Sequence, residues 1–160
     1  MNDTDDVADR PAERPHALRD QALIADGERG GVIGPQGNIA WLCVPQWDDE
    51  PVFASLIGGR GSYVVAPQDP WHVWGGSYQA ASLVWRSRWV TSESISECDE
   101  ALAFPGQRDV AVVLRRVRAV SGDAKVHVLL QPSGGFDGRP VDDFANDHDV
   151  CVGRPHVRNI

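Results

Sequence analysis

The apolar runs of this chain are short, and this limits the folds that it can adopt. Between residues 18 and 130 these runs are interrupted every few positions by Gly, Pro or Asp. Val, Ile and Trp are frequent within them, and these side chains favour strands over helices. Several runs alternate apolar and polar side chains, which is the period of a half-buried strand. The pattern therefore predicts a chain built from short β-strands.

Turn residues place the predicted strands in antiparallel pairs. Residues 30–33 and 39–44 flank a segment, 34–38, whose Pro and Gly suit a turn, and this arrangement predicts a β-hairpin. The other predicted elements are a strand over 62–66, a long strand over 81–90, a second hairpin of 110–120 with 124–130, and one helical turn over 52–56 ended by Gly58-Gly59. This order predicts an all-β fold, an antiparallel β-sandwich with a short helical turn.

The two ends of the chain differ in composition from the part between them. Residues 1–15 carry hardly an apolar side chain, and their acidic residues are Asp3, Asp5, Asp6, Asp9 and Glu13. This composition predicts a disordered acidic tail, with an electrostatic docking arm as the alternative. Residues 141–160 are rich in Asp, His and Arg without periodicity, which predicts an irregular C-terminal tail. One domain, residues 16–140, is expected between the two tails.

The charge balance restricts the partners. Lys and Arg number 15 against 23 Asp and Glu, for a net charge of −8. Sequence-independent binding to nucleic acid or to an anionic membrane needs a basic face, so neither is expected as a partner. No apolar run approaches the length of a membrane-spanning helix. The cysteines are odd in number and widely spaced (Cys43, Cys98 and Cys151), which favours a reduced protein and a cytoplasmic location.

Signatures of cofactor or metal chemistry are absent from the sequence. It has no phosphate-binding glycine loop followed by Lys-Ser/Thr, no His-Glu-x-x-His, no Cys-x-x-Cys and no Gly-x-Ser-x-Gly. The histidines are scattered, and Cys43 lies in an apolar run where a core thiol is expected. We therefore predict neither a cofactor nor a metal site.

The stretch 41–53 (WLCVPQWDDEPVF) carries the strongest chemical signal. Two indoles and three consecutive carboxylates follow a strand and lie on a Pro-bounded loop. Aromatic rings beside carboxylates suit a sugar, because the ring packs against C–H faces and the carboxylates accept hydroxyl hydrogens. The alternative is structural: Trp41 in the core, Trp47 covering an interface, and the carboxylates capping the helical turn. The candidate substrate- or interface-binding residues are Trp41, Trp47, Asp48 and Asp49.

The same stretch resembles a known family. Residues 18–27 (LRDQALIADG), 37–45 (GNIAWLCVP) and 52–56 (VFASL) are similar to the opening of bacterial glycoside hydrolase family 15 proteins, the glucoamylase-like and trehalase-like enzymes. Their N-terminal β-sandwich begins with the pattern I-x-D-G … G-S-I-D-W-L-C-L-P-R-F-D-S-P-S-V-F-A. Residues 78–90 resemble its Y … T-N-V-L-E-T-R-F strand, 113–122 its L-V-R-R-V-E-C-V-x-G strand, and 136–137 its P-x-F-D-Y-G turn. The resemblance covers residues 18–139 in collinear order.

The resemblance implies a non-catalytic domain. In the family, the catalytic carboxylates lie in an (α/α) toroid that follows the sandwich, so no catalytic residue is carried onto this chain. The chain also departs from the pattern at Ala40, where the family has Asp, and at Gln46, where it has Arg. The chain is shorter than the family's N-terminal domain, which implies an incomplete super-sandwich. The chain alone is therefore expected to be inactive.

Three functions follow as hypotheses. In the first, the chain supports or docks a glycosidase catalytic domain that hydrolyses α-glucosidic bonds. In the second, it is a stand-alone module that binds an α-glucoside or a protein through the same aromatic loop. In the third, it is a truncated copy without activity, whose open sheet edges need a partner.

Overall fold

The computed structural model of the chain describes residues 17–104, 107, 109–139, 141–147 and 150–154. The predicted acidic tail, residues 1–15, lies outside the described residues. Two three-residue 3-10 helices, Leu18–Asp20 and Ser55–Ile57, accompany the strands. The strands are β1 (Ala22–Ala25), β2 (Gly30–Ile33), β3 (Ile39–Cys43), β4 (Pro51–Phe53), β5 (Ser62–Pro67), β6 (Val73–Tyr78), β7 (Trp85–Val90), β8 (Ile95–Ala103), β9 (Val112–Ser121), β10 (Val126–Gln131), β11 (Asp142–Asp147) and β12 (Val150–Arg154).

Every pairing among these strands is antiparallel, which confirms the predicted fold class. β1, β2, β3 and β4 form one sheet in that order, and β6, β7, β8 and β9 form another. β5 pairs with β10 and is joined to the first sheet by a bridge between Asn38 and Val64. The first sheet and the β5–β10 pair therefore make one layer of a sandwich, and β6–β9 make the other.

The core lies between these layers in two clusters. The larger joins the inner side chains of β1–β4 to β8, and its buried members are Ala22, Ile24, Ile33, Ile39, Leu42, Phe53 and Leu102. The smaller joins Val65 of β5 to Trp89 of β7 and Cys98 of β8. Residues at every second position of the strands contribute to these clusters, because alternate side chains of a strand share one face. Burial raises the pKa of the Cys98 thiol to about 12, so this thiol is a core group.

The predicted long strand over 81–90 is shorter in the structure. Its regular pairing begins at Trp85, where Trp85 faces Tyr78 of β6. The preceding residues form the turn between these strands, in which the Gln79 amide donates to the Val84 carbonyl. Ala81 in this turn has φ +55, a left-handed conformation that a strand does not contain. Alternating hydrophobicity thus continued beyond the strand into its turn.

The predicted second hairpin is wrong, although both of its strands exist. β9 pairs with β8, and β10 pairs with β5 in the other layer. Gly122, with φ +70, follows β9 and turns the chain out of the β6–β9 sheet. Sequence neighbours were therefore separated between the layers.

Two shorter segments also differ from prediction. Residues 52 and 53 of the predicted helical turn belong to β4, and the 3-10 helix begins at Ser55. It ends as predicted at Gly58, which has φ +76 and a left-handed conformation. Where we predicted an irregular C-terminal tail, β11 and β12 form an antiparallel hairpin; residues 155–160 lie outside the described part.

A charged ladder covers the outer face of the β6–β9 sheet. We define the arginine ladder as the two cross-strand rows Arg86–Asp99–Arg116 and Arg88–Glu97–Arg118. Arg86 Nε lies 2.6 Å from one Asp99 oxygen, and Arg116 lies 2.7 Å from the other. The hydrogen bond from Arg86, with that from Arg116, lowers the pKa of Asp99 to about 2. Burial raises the pKa of Glu97, but hydrogen bonds from Arg118 and Arg88 outweigh it and lower that pKa overall.

We expect Asp99→Asn to destabilise the chain in a pH-dependent way. Because folding depresses the Asp99 pKa from 3.8 to about 2, its stabilisation is present above 3.8 and is lost as pH falls through 2. The free energy of unfolding of the native chain should exceed that of the variant by about 2 kcal/mol at neutral pH and by almost nothing below pH 2. Urea unfolding over this range measures the difference. Asp48→Asn at an exposed carboxylate is the control, and an equal, pH-independent loss in both variants would contradict the assignment.

Candidate functional site

The residues singled out from the sequence lie on β3 and on the loop that joins it to β4. Trp41 is in β3 and half-buried, and it faces away from the core residue Leu42, because neighbouring side chains of a strand alternate. Trp47, Asp48 and Asp49 are on the loop and exposed, and the exposed fraction of Trp47 is 49%. The structure therefore places the four residues outside the core.

A buried guanidinium holds the start of this loop. Arg29 is fully buried, and its Nε donates to the carbonyl oxygen of Pro45 at 2.5 Å. One of its terminal nitrogens donates to Asp26 Oδ2 at 2.8 Å, and both side chains of this ion pair are fully buried. Burial raises the pKa of Asp26, but bonds from the Glu28 and Arg29 amides and from the guanidinium lower it overall. The Asp26–Arg29 pair is thus an anchor for the loop.

Asp49 closes the turn at the tip of the loop. Its Oδ2 accepts a hydrogen bond from the Gln46 amide at 2.8 Å, and its own amide donates to the Gln46 carbonyl at 3.3 Å. The alternative structural role, capping of a helical turn, is wrong for the loop carboxylates. The 3-10 helix starts after Ala54, and that cap has no side-chain hydrogen bond. Asp49 therefore shapes the loop itself.

The indole of Trp47 lies directly against Gly30 at the start of β2. A Cβ atom built on Gly30 would be 1.7 Å from Cη2 of Trp47 and 2.3 Å from Cζ3. Only a residue without a side chain lets the ring approach the backbone so closely. Sequence reasoning did not assign Gly30 to the site, and the signal that points to it is the glycine in an otherwise apolar strand.

Gly30→Ala should move the Trp47 ring off the sheet while leaving the fold intact. The clash is with the end of a half-exposed side chain, which can rotate into solvent, so we expect a stability loss of only about 1 kcal/mol. Acrylamide quenching of tryptophan fluorescence should increase. Gly75→Ala, where an added Cβ meets nothing within 4 Å, is the matched control and should leave quenching unchanged. Unchanged quenching in Gly30→Ala would contradict the contact.

The turn after β10 lies next to the 41–53 stretch. The Ser133 amide donates to Val52 O at 3.1 Å, and the Gly135 amide donates to Pro51 O at 3.2 Å, so this turn runs along the edge of β4. It brings the Phe136 ring to 6.3 Å from the Trp41 ring, between centroids. Sequence reasoning placed Phe136 in a family-like turn but not at the site.

An ion-pair network joins the turn to the loop. Arg139 contacts the Glu50 carboxylate at the end of the loop and lies 2.8 Å from Asp137. The hydrogen bond from Arg139 lowers the pKa of Asp137. Gly135 lies against both partners, since its Cβ would be 2.5 Å from a Glu50 oxygen and 2.9 Å from an Arg139 nitrogen. Glu50, predicted only as part of an acidic run, therefore connects the loop to the turn after β10.

We call this surface the aromatic–acidic face; its members are Trp41, Trp47, Asp48, Asp49 and Phe136. Its rings offer apolar contact, and its carboxylates offer hydrogen-bond acceptors. Glycoside hydrolysis needs two carboxyl groups on opposite sides of the bond, which adjacent residues of one turn do not supply. Burial, with Asp49 nearby, raises the pKa of Cys43 to about 11, which disfavours the nucleophilic thiolate. The arrangement suits binding.

The described part of the chain holds neither a candidate metal site nor a candidate membrane-spanning helix. Among those residues, no group of three or more His, Cys, Asp and Glu side chains is placed to hold a metal ion. In the same residues, no helix has the length and apolar character needed to cross a bilayer.

Comparison with known proteins links the chain to trehalases. Residues 11–154 match the family model described as trehalase-like, N-terminal. The trehalase of Mycobacterium tuberculosis is 25% identical over 134 residues, and that of Mycolicibacterium smegmatis is 24% identical over 134 residues. Each alignment covers 72% of this chain and 20% of the relative, so the chain spans about a fifth of the length of these curated relatives. No solved structure matches the chain.

Proposed function

Because the chain belongs to the family of trehalase-like N-terminal domains, we propose that it is a non-catalytic domain that supports or docks a glycosidase catalytic domain. The chemistry proposed for the whole enzyme is hydrolysis of α-glucosidic bonds, of the trehalase or glucoamylase type found in glycoside hydrolase family 15. The proposed partner is an (α/α) toroid. The proposed location is the cytoplasm, since an odd number of widely spaced cysteines favours a reduced protein.

The observation that carries this proposal is the aromatic–acidic face. It is assembled from two family-like motifs, the 41–53 stretch and the 136–138 turn, that are far apart in sequence and joined by Glu50–Arg139. Trp47 is 49% exposed and Phe136 is 59% exposed beside the half-buried Trp41. Exposed aromatic residues of this kind are enriched at the centres of protein interfaces. The face is therefore the surface proposed to meet the catalytic domain.

Transplanting the chain into a relative tests the docking role. In a chimera, this chain replaces the matching segment of the Mycolicibacterium smegmatis trehalase, and trehalose hydrolysis is measured. We expect Trp47→Ala to lower kcat/KM about tenfold, because the indole at the interface is lost. Trp71→Ala is the matched control, since Trp71 is 85% exposed and lies outside the face; it should leave kcat/KM unchanged. Equal activity in both variants would contradict the proposal, as would an inactive chimera whose two parts unfold in separate transitions.

A second candidate is a stand-alone saccharide-binding module, favoured by the exposed Trp47 ring beside the exposed Asp48 carboxylate. The discriminating measurement is calorimetry of the chain with trehalose and with maltooligosaccharides. Saturable binding that Trp47→Ala abolishes would support the module. A chain without measurable affinity for either sugar excludes the saccharide-binding module.

A further inference from the structure

The arginine ladder presents guanidinium groups to solvent and hides its carboxylates. The side chains of Glu97 and Asp99 are 7% and 8% exposed, whereas that of Arg116 is 71% exposed. The other three arginines are between 31% and 44% exposed. A partner that approaches this face therefore meets a layer of cations lying over a layer of anions.

The ladder carries more positive charge than its internal pairing needs. One arginine would balance each carboxylate, yet Asp99 lies between Arg86 and Arg116, and Glu97 lies between Arg88 and Arg118. The face thus has an excess of two cations in a chain of net charge −8. Each guanidinium has five N–H donors in a planar fork, so most of its donors remain after one or two bonds to the ladder carboxylates.

Apolar residues flank the ladder on the same face. Val73 pairs with Val90 at one end, and both lie in the same alternation as Arg88. Leu114 precedes Arg116 by two residues at the other end and therefore also points outward. Val73 is 72% exposed and Leu114 is 51% exposed. Arginine together with exposed apolar side chains is a composition typical of surfaces that bind other proteins.

We propose that the arginine ladder binds an extended acidic polypeptide segment of a partner protein. Its two rows are two residues apart along the strands, about 7 Å, which is also the spacing of alternate side chains in an extended segment. Carboxylates at alternate positions of the partner therefore match both rows, and each meets the fork of an arginine. A long polyanion such as nucleic acid would extend past the ladder over an acidic chain and be repelled. This interaction is independent of the aromatic–acidic face.

The test measures binding of a synthetic peptide of alternating aspartate and serine to the whole chain. The native chain should bind it saturably, with affinity that falls as salt rises, and should not bind the matched asparagine–serine peptide. Arg116→Gln with Arg118→Gln should weaken binding about tenfold, while Arg86 and Arg88 still pair with the buried carboxylates. Arg19→Gln with Lys125→Gln removes the same charge elsewhere and should leave the affinity unchanged.

Some results would overturn the proposal. They are absence of peptide binding by the native chain, equal weakening in both double variants, or binding of heparin or duplex DNA without binding of the peptide. Unfolding curves check that the variants remain folded. If the ladder double variant unfolds, Arg116→Gln alone at the most exposed position provides the test, and an unchanged affinity in that variant overturns the proposal.

Discussion

Arg29→Met should lower the free energy of unfolding by about 3–5 kcal/mol and release the loop that carries Trp47. The substitution leaves the fully buried Asp26 carboxylate without its cation and the Pro45 carbonyl without the 2.5 Å hydrogen bond. The loss of stability exceeds the attraction within the ion pair, because the remaining Asp26 carboxylate is buried with neither its cation nor water to compensate its charge. Urea unfolding measures the stability, and near-ultraviolet circular dichroism reports the tryptophan environment.

Two variants separate the ion pair from general packing. Asp26→Asn with Arg29→Met removes both charges and should recover part of the loss, since no unpaired ion remains. Arg19→Met, at an arginine whose side chain is 87% exposed, should change the free energy by less than about 0.5 kcal/mol. A loss in Arg29→Met as small as in Arg19→Met would show that the anchor does not hold the loop.

Arg115→Met should lower the free energy of unfolding by a similar amount, about 3–5 kcal/mol, because it removes a connection between the two layers of the sandwich. Arg115 joins the layers of the sandwich: it contacts the fully buried Glu100 carboxylate and donates to Tyr63 O at 3.0 Å and Gly37 O at 2.5 Å. Its guanidinium also lies 4.6 Å from the centroid of the Tyr63 ring. Ser87 also donates to this carboxylate, at 2.7 Å. One hydrogen bond from a hydroxyl does not compensate a buried charge.

The pH dependence of Arg115→Met gives a second readout. Burial raises the pKa of Glu100, and Arg115 opposes that rise, so the pKa should be higher still in the variant. A carboxyl whose pKa is raised by folding stabilises the fold while protonated, so the variant should regain stability as pH falls. Arg115→Met with Glu100→Gln should be more stable than the single variant at neutral pH. A single variant whose deficit relative to the native chain is the same at every pH would contradict this account.

The fold class could be predicted from the sequence because strand formation depends mainly on neighbouring residues. Period-two alternation, β-branched and aromatic residues, and Gly or Pro in turns predicted the β2–β3 hairpin and β5 nearly at their observed bounds. Pairing between strands is not local. β9 and β10 look like a hairpin along the chain, but they lie in different layers, because β8 is the partner of β9 and β5 the partner of β10.

The candidate site was predictable only in its loop. The indoles and carboxylates of residues 41–53 stand next to each other in sequence, so their chemistry could be read directly. Gly30 and Phe136 could not be found this way, because one supports Trp47 across the hairpin and the other reaches Trp41 from the turn after β10. A glycine in a strand indicates that another group approaches the backbone closely, but it does not identify that group. The role of the aromatic–acidic face in docking a partner stays a prediction.

An all-β sandwich, an aromatic and acidic loop, and membership of the trehalase-like family were all predictable from the amino-acid sequence. These are properties of short segments, whose propensities and motifs need no information from distant residues. The three-dimensional structure was needed to show which strands share a layer and that two arginines flank each ladder carboxylate. It was also needed to show that Arg29 and Arg115 are buried and bind several partners. Burial and ion pairing depend on which groups lie opposite a side chain in space, and these groups are often distant in sequence. A sequence lists the charges, and the packing of the sheets decides which of them meet.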